Sequence, residues 1–178
     1  MKKIGKYLLV VAGVIGFIFG IWWFGFRESG LMQTRVLSSA GAQYQLSLPG
    51  VMSPAPQLND NASLQYADAG AELYLVIIDD SKDKITSFGL DYDLDTYMKI
   101  ASRNIDSVGV FVNTKKEINN LLALQATIVR KQGGNEITYW LTCVESEKFF
   151  YQLLLWTPTA RLESNRETME AIIASFSE

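Results

Sequence analysis

Acid–base and nucleophilic chemistry need titratable side chains, and this 178-residue chain restricts the choice sharply. It has one cysteine and no histidine. Ser-His-Asp and Cys-His systems, a histidine base or metal ligand, a CxxC site and an intrachain disulfide are therefore excluded. Carboxylates remain. Asp79, Asp80 and Asp83 open a polar stretch over residues 80–92, and Asp91 and Asp93 close it. Acids across such a loop can bind a cation or act as a paired acid and base, provided that they converge. Asp91-Tyr-Asp93-Leu-Asp95 starts like a calcium loop. Its sixth and twelfth positions hold Thr96 and Ser102 where glycine and glutamate belong, so that motif fails. Acids ahead of a helix also cap it and favour its dipole, which is the role expected of Asp93 or Asp95. Cys143 alternates with Tyr139 and Leu141 on an apolar strand face and reads as a small buried residue. Trp140 and Trp156 can stack a ligand, but their positions fit sheet–helix packing. Gly133-Gly134 reads as a hairpin turn rather than a phosphate loop. No catalytic residue, cofactor or metal site is expected.

The elements that must position these residues begin with an uncharged run. Residues 7–26 read YLLVVAGVIGFIFGIWWFGF, and twelve of the twenty are Val, Leu, Ile or Phe. As a helix the run is about 30 Å long, matching a bilayer's hydrocarbon core. Those twelve side chains favour insertion by about 4–7 kcal/mol. Lys2, Lys3 and Lys6 precede the run, Trp22 and Trp23 stand near its far end as interface anchors, and Arg27-Glu28 follow with no net charge. The positive-inside rule then places residues 1–6 in the cytoplasm and the rest outside. A cleaved signal needs a shorter apolar region and a small-residue site directly after it. This run is too long and ends in bulky residues, so an uncleaved anchor is expected. Ala12, Gly16 and Gly20 share one helix face, where small residues let a second membrane helix approach. Beyond residue 26 the chain carries 13 basic and 19 acidic residues, a formal −6. That balance excludes a nucleic-acid footprint.

Residues 27–42 read as a connector with room for a short helix. From Gln43 the alternation of Tyr44, Leu46 and Leu48 predicts a half-buried strand, ended by Pro49-Gly50. Ala62–Ala67 predicts a short strand, and Glu72–Asp79, apolar on both sides, a central one. Leu94, Tyr97, Met98, Ala101, Ile105 and Val108 fall at helical spacing, which predicts a helix from about Asp95 to Ser107 with Gly109 after it. Val110–Ile118, Leu121–Lys131, Glu136–Glu145 and Phe149–Thr157 then predict a four-strand meander through turns at Asn119-Asn120, Gly133-Gly134-Asn135 and Ser146-Glu147-Lys148. Ser164 and Glu167 fit a capping box ahead of a last helix bearing Met169, Ile172, Ile173 and Phe176. The order β-β-β-α-β-β-β-β-α predicts an α+β fold: an antiparallel sheet of about six or seven strands packed between helices.

In this order, and in short phrases, the chain resembles the PsbP/Mog-like superfamily over residues 43–178. Tyr44-Gln-Leu-Ser-Leu-Pro49 resembles its opening strand, Glu72-Leu-Tyr-Leu-Val-Ile-Ile-Asp79 its central strand, and Ile118-Asn-Asn-Leu121 its hairpin. Tyr151-Gln152 through Trp156-Thr-Pro158 resembles the last strand, and Ala171-Ile-Ile-Ala-Ser-Phe176 the closing helix. Members include the extrinsic P protein of photosystem II, a Ran-binding protein and many bacterial exported proteins. The resemblance implies an α/β/α sandwich and a domain that binds or assists larger assemblies. It implies no shared catalytic site, and without histidine no histidine-based metal contact carries over.

The expected organisation is a cytoplasmic tip (1–6), a transmembrane helix (7–26), a connector (27–42) and an extracytoplasmic domain (43–178), held on a bacterial inner membrane. The expected function is non-enzymatic: an accessory or assembly subunit of a larger membrane complex. Its expected partners are the bilayer and other membrane subunits, reached through the helix and the 80–92 loop. A membrane-tethered ligand- or lipid-binding domain is the alternative and needs a cavity between sheet and helices. A carboxylate hydrolase needs two of the loop's acids to meet in a cleft.

Overall fold

The computed structural model describes residues 32–39, 42–105 and 113–178. The expected span over residues 7–26, with Ala12, Gly16, Gly20, Trp22 and Trp23, lies outside them, as does Gly109. Among the described residues no helix is long and apolar enough to cross a membrane.

The strands are β1 (Met32–Ser39), β2 (Ala42–Pro49), β3 (Ser53–Pro54), β4 (Leu64–Asp68), β5 (Leu73–Ser81), β6 (Thr114–Ile118), β7 (Leu121–Gln132), β8 (Asn135–Glu145) and β9 (Phe149–Pro158). The helices are α1 (Lys82–Ser87), α2 (Leu94–Ile105) and α3 (Leu162–Ala174). Seven strands form one antiparallel sheet in the order β3-β4-β5-β9-β8-β7-β6, and β1 and β2 pair apart as a two-stranded sheet. Local sequence explains the meander. Asn119 and Asn120 (φ 48° and 67°) and Gly133 and Gly134 (φ 59° and 89°) form two-residue turns with both residues left-handed. That geometry matches the twist of the strands it joins.

Strand alternation sends side chains to two different covers. On one face Leu75 and Ile77 of β5, Trp140 and Val144 of β8, and Tyr151, Leu153 and Leu155 of β9 meet Tyr44, Leu46 and Leu48 of β2 and Met169, Ile172 and Ile173 of α3. Phe176, just past α3, is fully buried there against the rings of Tyr44 and Tyr151. The Asn165 amide ties α3 to the sheet by donating to the Ala71 carbonyl (2.9 Å) and to Thr157 Oγ1 (2.8 Å). On the other face α2 sets Leu94, Tyr97, Met98 and Ala101 on Leu124, Ala126, Leu141, Cys143 and Phe150.

Four expectations change. Within the connector, residues 32–39 form strand β1 rather than a helix, because their backbone finds the ladder of β2. The strand expected first in the sheet is therefore a covering layer, not a sheet strand. The polar stretch over residues 80–92 is not one loop: β5 runs on to Ser81 and α1 follows directly. The capping box at Ser164 does not form. Thr159–Arg161 makes a 3-10 turn that leads straight into α3, so Arg161 holds the cap position and Ser164 lies inside the first turn, donating back to the Arg161 carbonyl (2.8 Å).

The sheet has two distinct ends. The Pro49 end gathers the β2–β3 turn, the start of β5, the β7–β8 turn and the first turn of α3. The Asp80 end gathers the end of β5, α1, the start of α2 and the β8–β9 turn, where the Lys82 N–H donates to the Lys148 carbonyl (2.9 Å).

Candidate interaction surface

The acids expected to act together are separated by the pleat of β5. Asp79 pairs with Tyr151 and Asp80 with Phe150 across the β5–β9 ladder, so the two carboxylates leave opposite faces of the sheet. Asp80 is engaged: the Tyr97 hydroxyl donates to its Oδ2 (2.6 Å) and the Gln152 amide donates to that hydroxyl (3.0 Å). Burial first, and the Asp80 charge second, push the Tyr97 phenol well above its ordinary range. The Cys143 thiol is raised for the same two reasons, which makes it an inert core group, as expected of a small buried residue. Asp93 caps α2, accepting from the Thr96 N–H (2.7 Å), and the Thr96 contacts hold its carboxyl below the ordinary value. Asp83 and Asp91 are exposed. No three His, Cys, Asp or Glu side chains among the described residues are placed to hold a metal ion.

This end instead presents an apolar tip on a capped turn. Ser81 accepts from the Lys84 N–H at the start of α1 (3.4 Å). At the far side Gly89 adopts φ 74°; its N–H donates to the Thr86 carbonyl (2.8 Å) and the Leu90 N–H to the Ile85 carbonyl (3.4 Å). These are the two bonds of a Schellman cap, whose usual apolar contact joins the positions of Ile85 and Leu90. The cap accounts for Leu90, which is 44 % exposed, but not for Phe88, which is 71 % exposed and stands at the C-cap position. The base of α1 is held by Lys82, which pairs with Glu145 (2.6 Å) and lies over the Phe150 ring (4.7 Å to its centroid). Partly buried charge-paired and cation–π contacts of this kind help fix geometry. The acids mark this surface in the sequence; the exposed Phe88 is marked only by Phe88-Gly89 after a short polar run, the signal of a capped helix.

Both tryptophans pack. Trp140 is buried under Arg166, and Trp156 stacks between Tyr74 (5.3 Å between centroids) and Tyr139 (6.1 Å). Open clefts are also present among the described residues. One of about 440 Å³ runs along the seam of β6 and α3, by Ile118, Gln125 and Ile173. One of about 730 Å³ lies by Glu72, Ile137 and Pro158, and one of about 250 Å³ by Val51, Leu73 and Asn165.

The fold recurs in solved structures. The chain is similar to LpqN of Mycobacterium tuberculosis, described as involved in cell envelope biogenesis: 14 % identity, 85 % of this chain and 94 % of that one, TM-score 0.58. It is similar to cyanobacterial PsbP (CyanoP) of Synechocystis sp. PCC 6803: 13 % identity, 83 % and 94 % covered, TM-score 0.57. A Bacteroides thetaiotaomicron protein matches at 11 % identity and TM-score 0.57, over 84 % of this chain but 48 % of its own length, so this chain spans about half of that protein. No family profile matches the sequence, and no curated protein does. The PsbP-like fold read from the short phrases is therefore the fold observed; identities this low carry the fold alone.

Proposed function

We propose that this chain is a membrane-anchored, non-catalytic accessory protein of the bacterial envelope, with its domain on the outer side of the inner membrane. Its domain docks onto a protein partner through the Asp80 end. The observation that carries this reading is Phe88, the most exposed of the large apolar side chains among the described residues, held on a hydrogen-bonded cap amid acids. An aromatic on a hydrogen-bonded turn leaves less backbone freedom to be lost on binding, and single aromatic side chains often dominate interfaces. The uncharged run over residues 7–26 supplies the anchor, and Ala12, Gly16 and Gly20 a face for a second membrane helix. Two solved structures of the same fold support the class: LpqN by its described part in cell envelope biogenesis, and CyanoP as a PsbP. The spread of Asp79, Asp80, Asp83, Asp91 and Asp93 favours partner contact over acid–base chemistry.

The test is copurification of the full chain after mild detergent extraction, beside the Phe88→Ala variant. A partner subunit retained by the parent and depleted about tenfold or more by the variant is the expected result, the size of an interface hot spot. Elution of the parent as a bare monomer overturns the proposal.

A further inference from the structure

We infer that the Pro49 end of the domain rests on the lipid surface of the membrane that holds the anchor, so that the Asp80 end points away from it. The inference rests on the anchor reading above. Three independent observations carry it.

The first is connectivity. Met32 opens β1 opposite Pro49, and residues 27–31 alone separate it from the expected end of the span at Phe26. Five residues reach about 17 Å at full extension. The nine residues of β5 put the Asp80 end about 30 Å further along the sheet. The tether is too short to exchange the two ends.

The second is charge. At the Asp80 end, residues 79–95 and 145–148 hold eight acidic and three basic side chains. At the Pro49 end, residues 68–72, 130–136 and 158–167 hold five acidic and four basic ones. A leaflet containing anionic lipid repels the first set and is nearly indifferent to the second, within a Debye length of about 8–10 Å. Arg130 and Lys131 stand next to the β7–β8 turn, among the outermost groups of the Pro49 end.

The third is side-chain type. Tyr74, Trp156 and Tyr139 form one stacked row across β5, β9 and β8, half-buried and close to the strand ends on the Pro49 side. Rings with an apolar body and a polar tip favour the headgroup region. Val51, two residues beyond the Pro49 that pairs with Met32, is 47 % exposed. The occupant of this end is thus a lipid headgroup surface, and a protein partner meets the domain from the far side.

The test uses the full chain carrying one fluorophore at Val51→Cys, Lys131→Cys or Phe88→Cys, since the native Cys143 is fully buried and stays unlabelled. Each protein is reconstituted in phosphatidylcholine vesicles with a minor share of phosphatidylglycerol and a headgroup-attached quencher. Quenching at residues 51 and 131 at least about twofold stronger than at residue 88 is the expected result, given the separation of the ends. Equal quenching at the three sites, or stronger quenching at 88, overturns the orientation. Alkaline carbonate extraction of the same vesicles separates the two readings. A chain that is retained but shows reversed quenching refutes the orientation alone; a chain that is extracted refutes the anchor, and the orientation with it.

Discussion

The two faces of the central sheet are closed on different terms. Among the described residues, the cluster under α3 and β2 holds twenty-one buried residues, with Tyr44, Tyr151 and Phe176 in mutual ring contact at its centre. Among the described residues, the cluster under α2 holds ten, and a polar chain from Gln152 through Tyr97 to Asp80 runs into it. The first face joins the larger set of buried apolar side chains to directed contacts such as Asn165 to Thr157 and the Tyr151 hydroxyl to Glu178. The second has fewer buried apolar side chains among the described residues, and its directed contacts set position more than they add free energy. α1, with no buried residue of its own, hangs from this thinner face. Thinly packed elements open at lower free energy than the core, and binding surfaces are drawn from them.

Substitutions can break this contrast, beginning with the thick face. Phe176→Ala removes a fully buried ring and is expected to cost about 3–5 kcal/mol in urea unfolding. Met98→Ala on the thin face is expected to cost less, about 2–3 kcal/mol, because a single helix can settle into the gap. A larger loss for Met98 than for Phe176 would erase the distinction between the faces. Tyr97→Phe leaves the Asp80 carboxylate and the Gln152 amide without their shared partner, at about 1–2 kcal/mol.

That variant also sharpens a pH dependence. Burial pushes Tyr44 up to about 12 and raises Tyr97, Tyr151 and Cys143 as well. In the unfolded chain the thiol and phenols release their protons from about pH 8.5 and 10 upward, while the folded protein keeps them. Stability is therefore fully present below those values and falls as pH rises toward the folded ones. Urea midpoints measured from neutral pH to about pH 11 should drop steadily, and less steeply in Tyr97→Phe. The smallest expected effect is that of Gly89→Ala, about 1 kcal/mol from a left-handed backbone, since a methyl group there meets nothing within 4 Å.

The sequence makes some of this legible and hides the rest for physical reasons. β8 and β9 are apolar on both sides, and the four strands β6 to β9 are joined at Asn119-Asn120, Gly133-Gly134 and Ser146–Lys148, so period and turn chemistry agree and the meander can be read directly. Met32–Ser39 carries no clear period, and its strand exists because β2 offers a ladder, a tertiary cause that local patterning does not contain. α1 is six residues long with no buried side chain, too short for periodicity to register; its cap residues Ser81 and Gly89 were the available signal. Ser164 and Glu167 satisfy a capping pattern locally, but Pro158 and the 3-10 turn start the helix earlier. The acidic stretch was legible as a surface and not as a site, because the facing of Asp79 and Asp80 depends on how far β5 extends.

The central claim is a division of labour between the two ends of the sheet, lipid at Pro49 and protein at Asp80. Photocrosslinking in cells, with the reactive group placed at residue 51 or residue 88 of the full chain, tests it most directly. Adducts to lipid from residue 51 and to a discrete protein from residue 88 are the predicted result. Lipid adducts from residue 88 with protein adducts from residue 51, or no protein adduct at residue 88, would contradict it.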